Sequence, residues 1–189
     1  MEDKLIELSQ KGNLDAFEKL IMSYERKIYV IAYRFMGNEH DAKDLTQETF
    51  IKAFKNIKSF RKESSFSTWI CRIASNACKD ELRKIKRKPC DSLDEEVNVD
   101  DGYVYKQIED KRPTPEEIYE SAELNKYLQQ MLNELNSDYR MVIVLRDIEG
   151  YSYEEIAEIT NVSLGTVKSR LNRARKELKE KISSGKKGG

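Results

Sequence analysis

The chain has 189 residues, in which 34 Lys and Arg balance 34 Asp and Glu beside a single His. With 39% hydrophobic residues it can build cores, which excludes global disorder, and its length suits one ordinary domain or two small ones. No apolar run approaches the roughly 18 residues of a membrane span, and the opening MEDKLIELSQKG is charged and amphipathic with no signal-peptide core. The expectation is a soluble, cytoplasmic chain without direct membrane insertion.

Residues 13–36 place Phe17, Leu20, Ile21, Tyr24, Ile28, Ile31 and Phe35 at steps of three and four, which predicts one amphipathic helix. Gly37 can supply a left-handed C-terminal cap, and Asn38 an N-cap with Asp41 at its third position. The following helix would bury Ala42, Leu45, Thr49, Ala53, Phe54 and Ile57. A polar loop at Ser59–Ser65 precedes a helix with Phe66, Ile70, Ile73, Ala77, Leu82 and Ile85 in phase, closed by Pro89. On it, Cys71 and Cys78 are two helical turns apart, roughly 10 Å, too far for a disulfide. With Cys90 they read as reduced thiols, a redox switch being the alternative.

No period holds from Cys90 to Arg112, where DSLDEEVNVDD is acidic and Pro and Gly flank it, so this stretch reads as a linker with at most a helical turn near Tyr103–Ile108. Thr114-Pro115-Glu116-Glu117 restarts order as a capping box with Pro at the first helical position. Ile118, Ala122, Leu124, Leu128, Met131 and Leu135 then run at helical spacing. Another helix begins at Ser137. Its run Met141–Leu145 suits a buried helix better than a strand, since no other segment offers a strand to pair with. The expected fold is all-α: two small helical domains, 1–88 and 114–183, joined by a flexible acidic linker, 89–113, with a disordered tail, 184–189.

The most specific local signal is a helix-turn-helix. Ser152 caps a helix with Glu155 at its third position, and Tyr151 and Ile156 occupy the two positions of a hydrophobic staple. Asn161-Val162-Ser163 makes the turn. The second helix carries Val167, Leu171, Ala174 and Leu178 on one side and Lys168, Ser169, Asn172, Arg173 and Lys176 on the other. An apolar side for packing and a basic, hydrogen-bonding side for the major groove are what a recognition helix needs. Gly165 and Thr166 at its start permit close approach of a phosphate. An αα-hairpin with a solvated basic face has the same pattern.

Two further clusters stand out. In SFRKESSFSTW, residues 59–69, aromatics alternate with Arg, Lys and Ser, which suits stacking on unpaired bases. The phase of Phe66 points to the core, while Phe60 and Trp69 fit either role. Asp41, Asp44, Gln47 and Glu48 share one side of a helix, either a protein-docking face or simply a solvated one. No nucleophile is paired with a base and His40 is the only His, so catalysis, a metal site and a cofactor are not expected.

The blocks Asp41-Ala-Lys-Asp44-Leu-Thr-Gln47-Glu48, Phe66-Ser-Thr-Trp69 through Asn76, Gly150-Tyr-Ser-Tyr-Glu-Glu-Ile156 and Gly165-Thr-Val-Lys-Ser-Arg-Leu171-Asn-Arg173, in that order, resemble the extracytoplasmic-function group of bacterial RNA polymerase sigma factors. The resemblance implies a sigma-two and a sigma-four domain on a flexible linker, and a non-enzymatic role in promoter-specific, stress-responsive initiation. It implies that Asp41, Asp44, Gln47 and Glu48 dock on the β′ clamp coiled coil of core polymerase. It also implies that Phe60, Arg61, Ser65, Trp69 and Asn76 meet the minus-10 element. Thr166, Lys168, Ser169, Arg170, Asn172, Arg173 and Lys176 would then meet the minus-35 element, with Arg170, Arg175 and Lys176 on phosphates. The implied partners are core polymerase, including its β flap, promoter DNA and an anti-sigma factor. A stand-alone helix-turn-helix regulator is the alternative, and it leaves the first 88 residues without a purpose.

Overall fold

The computed structural model describes residues 1–87 and 115–185, with side chains in the second part from 123 to 183. Among these residues there is no strand. The expected linker, the capping box at Thr114 and Cys90 lie outside the described residues.

The first helical group consists of α1 (Glu2–Gln10), α2 (Leu14–Met22), α3 (Glu25–Met36), α4 (Glu39–Asn56) and α5 (Phe66–Arg87). Side chains start α2 and α4, as Ser65 does α5: Asn13 accepts from the Ala16 amide at 2.8 Å, and Asn38 from the Asp41 amide at 2.8 Å. Gly37 ends α3 with φ of 83°, and a Cβ there would fall 2.6 Å from the Asn133 side chain, so backbone conformation and close packing both call for glycine. Phe17, Leu20, Ile28, Ile31, Phe35 and Leu45 bury their apolar sides together with Phe66 and Ile70.

The single helix expected over residues 13–36 is in fact two, with a break at Ser23-Tyr24. Apolar spacing continues across the break because both helices face one core, so periodicity cannot register it. The turn lets Tyr24 set its ring edge-on to Phe66, 5.2 Å between centroids, while its hydroxyl donates to Glu2 Oε2 at 3.0 Å.

The second group consists of α6 (Pro115–Glu134), α7 (Ser137–Ile143), α8 (Tyr153–Thr160) and α9 (Leu164–Gly185). Met141–Leu145 is helical and wholly buried, as the sequence implied. It passes into a wider turn over Val144–Ile148, where the Glu149 amide donates to the Val144 carbonyl at 3.0 Å. The Ser152–Glu155 capping box forms in both directions, at 3.1 and 2.8 Å. Asn161 closes α8 in the left-handed conformation, φ 54°, which asparagine tolerates better than most residues. Helix α9 continues through Gly185, past the end placed at 183. The apolar phase read along α6 is rotated: Leu124 and Leu128 are exposed, while Gln129 and Leu132 face inward. Polar partners on α3 turn this face of α6 toward the first group.

The two groups meet along a seam in which polar bonds flank a continuous buried apolar cluster. Arg34 donates to Asn125 Oδ1 at 2.9 Å, and Gln129 Nε2 donates to the Arg34 carbonyl at 3.2 Å. Arg140 donates through Nη1 to the Phe35 carbonyl and through Nη2 to the carbonyls of Asn133 and Leu135 at 2.6 and 3.3 Å. One guanidinium thus caps the C-terminal ends of both α3 and α6, where unsatisfied carbonyls concentrate negative charge. The Tyr151 hydroxyl lies 2.7 Å from Ser67 Oγ and 2.9 Å from Cys71 Sγ, and Lys27 Nζ stands 5.0 Å from the centre of its ring. Asp138 pairs with Lys79 across the seam at 3.5 Å and with Arg170 of α9 at 2.7 Å. Cys71 and Cys78 are both buried and unbridged. Burial pushes both thiols up to about 12, which suppresses the reactive thiolate.

Candidate nucleic-acid interface

The capping box starts α8, and the left-handed Asn161 turns the chain so that α9 packs across it through Val167, Leu171 and Ala174, all buried. The opposite side of α9 must therefore face solvent. Lys168, Asn172 and Arg173 are exposed there with no partner among the described residues. Thr166 and Ser169 are engaged locally. The Ser163 hydroxyl accepts from the Thr166 amide at 3.1 Å and lies 2.8 Å from the Thr166 hydroxyl, while Ser169 Oγ donates to the Thr166 carbonyl at 3.0 Å. Lys176 stands 3.9 Å from Glu180, a loose pairing that leaves it exposed. Arg170 is held by Asp138, and Arg175 grips Asp147 with two bonds of 3.1 and 2.5 Å. Both are thus committed to carboxylates in this structure, a pairing that sequence spacing gave no sign of.

The loop after α4 begins with a tight turn at Ile57–Ser59. Phe60 then turns inward: it is 6% exposed, and its ring centre lies 5.6 Å from that of Phe66 and 5.2 Å from that of Trp69. Of the two roles open to it, the structure places it in the aromatic core, with Trp69 half-buried at the rim. The Ser65 side chain caps α5, accepting from the Thr68 amide at 3.0 Å. Arg61, Lys62 and Glu63 are exposed at the tip, and Asn76 is exposed on α5 with Arg72 before it and Arg83, Lys86 and Arg87 beyond.

Lys62 was missed in the sequence. Its φ of 58° is a left-handed conformation that costs a non-glycine residue about 1–2 kcal/mol. Its ammonium group pairs with Asp3 at 2.9 Å and Glu7 at 3.5 Å, while Gln10 Nε2 donates to the carbonyls of Ile57 and Phe60 at 3.2 and 2.8 Å. These partners lie more than 45 residues away, beyond the reach of local pattern.

On α4, Asp41 is tied to Asn38 at 2.9 Å and Glu48 to Lys52 at 2.7 Å, while Asp44 and Gln47 are exposed. The acidic face is thus assembled as spaced. Beside it, a hollow of about 300 Å³ opens between α2, α3 and α4, lined by Glu18, Ile21, Met22, Glu25 and Phe50. The hollow has no local signature, because its walls come from three helices. Among the described residues, no group of His, Cys, Asp and Glu could hold a metal ion, and no helix is long and apolar enough to cross a membrane.

Comparison with known proteins gives these surfaces a context. Residues 20–88 match Sigma-70 region 2, and residues 125–178 match Sigma-70 region 4. The ECF RNA polymerase sigma factor SigW of Bacillus subtilis is 43% identical over 183 residues, covering 96% of this chain and 97% of the relative. The ECF RNA polymerase sigma-E factor of Escherichia coli is 38% identical over 181 residues, 94% of this chain and 92% of the relative. Among solved structures, the sigma factor RpoE in complex with the anti-sigma factor NepR from Bartonella quintana has a TM-score of 0.67 at 28% identity, covering 90% of this chain and 98% of that one. CnrH in complex with the cytosolic domain of CnrY has a TM-score of 0.69 at 24% identity over 95% and 96% of the two chains, a likeness of fold.

Proposed function

The chain belongs to the extracytoplasmic-function family of RNA polymerase sigma factors, and from that membership we propose how its surfaces divide the work of promoter-specific initiation. The α4 face of Asp41, Asp44, Gln47 and Glu48 docks on core polymerase. The loop Arg61–Ser65, backed by the buried Phe60 ring, receives with Trp69 and Asn76 a minus-10 base from the opened strand. Lys168, Asn172 and Arg173 of α9 read the minus-35 element in the major groove. The observation that carries this reading is the free cationic side of α9, presented outward by a complete helix-turn-helix.

Drawing a base out of the stack costs a few kcal/mol, so capture by a shaped loop selects sequences at which the duplex opens readily. A balanced net charge gives weak hold on free DNA, and polymerase links the two modest contacts into one strong one. The chain supplies recognition, while phosphodiester chemistry belongs to the polymerase, so it works in the cytoplasm, where polymerase and DNA are. RpoE from Bartonella quintana is in complex with the anti-sigma factor NepR, and an anti-sigma factor is proposed here by that likeness.

Run-off transcription with sigma-free core polymerase and candidate promoters tests the assignment. Specific transcripts support it, whereas duplex binding without transcripts would favour a stand-alone regulator. In that assay Arg173→Ala should lose about 1–3 kcal/mol of minus-35 discrimination; an unaltered upstream preference removes Arg173 from base reading. Glu48→Lys should weaken binding to core polymerase about tenfold with the thermal melt preserved. Pull-down at wild-type strength would take Glu48 out of the docking face.

A further inference from the structure

We infer that α1, which lies outside the Sigma-70 match beginning at residue 20, sets the shape of the minus-10 reading loop, with Gln10 as its positioning residue and Asp3 and Glu7 holding Lys62 away from DNA phosphate. The inference rests on the assignment of Arg61–Ser65 as the loop that meets the minus-10 element.

Residues 3, 7 and 10 fall at steps of four and three, so α1 presents two carboxylates and an amide along one stripe. All three reach the same loop. Gln10 satisfies the carbonyls of Ile57 and Phe60 where the loop leaves the tight turn, and the Ser65 cap fixes the other end. Between them, Arg61–Ser64 makes no backbone–backbone hydrogen bond among the described residues, so the path of the loop depends on side chains. Lys62, in its left-handed conformation, is the mid-loop anchor. Meanwhile Ile6 is buried in the core, and the Tyr24 hydroxyl donates to Glu2, so α1 is itself fastened to the helical body. The result is a loop braced at its entry, middle and exit, which leaves Arg61 and Glu63 exposed between the braces.

This arrangement has two physical effects. A fixed loop accepts one base shape, because a displacement of about 1 Å is enough to spoil a positioned contact. A neutralised Lys62 adds no indiscriminate grip on the backbone, so selectivity is not diluted by charge. The pairing acts both ways: the Lys62 ammonium holds the Asp3 carboxyl below its usual range, and Asp3 with Glu7 raises the pKa of the ammonium.

The test uses the full chain assembled with core polymerase, transcribing a promoter set in which each minus-10 base is changed in turn. Gln10→Met keeps the side-chain length but removes the donor, and should flatten the minus-10 preference about five- to tenfold while the minus-35 preference and the melting temperature stay in place. Gln10→Lys restores a donor and should recover most of the preference. Asp3→Asn with Glu7→Gln releases Lys62, so binding to mismatched single-stranded DNA should strengthen, and its log–log salt slope should steepen by about 0.7. A change in fold alone would not alter that slope in this way. If Arg61→Ala flattens the minus-10 preference while the α1 variants leave it and the salt slope intact, the role of α1 is wrong and the loop assignment stands. If no loop variant affects the minus-10 preference, the loop assignment fails and the inference falls with it. A uniform loss at every promoter together with a lowered melting temperature would reduce α1 to a structural prop and overturn the positioning role.

Discussion

Arg140→Ala should weaken the seam between the two helical groups and remove about 1.5–3 kcal/mol or more from the joined state. The guanidinium serves three carbonyls, at Phe35, Asn133 and Leu135, and is itself only 8% exposed. Hydrogen bonds to a charged donor contribute about 1.5–3 kcal/mol each, and a buried carbonyl left alone bears the full cost of its lost water. Its Nε is buried with no partner, so the residue is retained for the three bonds it does make. Burial lowers its pKa but cannot discharge a guanidinium. Lysine should not substitute, since a single ammonium on a flexible stem cannot reproduce a planar fork that spans two helix ends. The measurement is urea denaturation together with alkylation of Cys71 under native conditions, located by peptide mass. An unchanged midpoint and an unchanged alkylation rate would refute the role assigned to Arg140.

Tyr151→Ala should cost about 3–5 kcal/mol, because the ring is 5% exposed and fills the joint between α5 and α8. Tyr151→Phe keeps the ring and loses only the bridge to Ser67 and Cys71, about 1 kcal/mol. If the two variants were equally destabilised, the hydroxyl bridge would outweigh the packing and the ring-filling account would fail. A pH dependence follows. Burial raises the hydroxyl of Tyr151, and it raises the Cys71 thiol to about 12 from an ordinary 9.0. Groups raised in the folded state contribute fully below their ordinary values, and the contribution is lost as pH climbs toward the folded ones. Stability of the joined form should therefore hold at neutral pH and erode from about pH 9 upward, a trend that Tyr151→Phe lessens but does not abolish, because Cys71 still titrates.

The features legible in the sequence were those whose physics is local. Asn38 with Asp41, Ser152 with Glu155, and the left-handed Gly37 declare themselves within a few residues, because capping chemistry acts along the chain. The two faces of α9 were readable for the same reason: one helix period assigns both. Features that depend on a distant partner were not readable. Nothing near Lys62 indicates its conformation, nothing near Gln129 indicates that an amide turns inward in place of Leu128, and the commitment of Arg170 to Asp138 spans more than 30 residues. Phe60 was undecidable for a related reason. An aromatic ring beside basic residues serves a base stack or a core equally well, and only the rings of Phe66 and Trp69 across the loop decide which.

The chemistry of the seam bears on what parting the halves would require. Amides, guanidinium groups and carboxylates exchange a protein neighbour for water with little net change, whereas oily surfaces, once parted, seek any other oily surface. Arg34, Gln129, Arg140, Lys79 and Asp138 give the joint its direction, but the Tyr151 ring and the apolar residues around it are buried there as well, so separation bares oily surface beside the wettable groups. Whatever parts the two halves must therefore cover the apolar patch, while water alone can serve the rest.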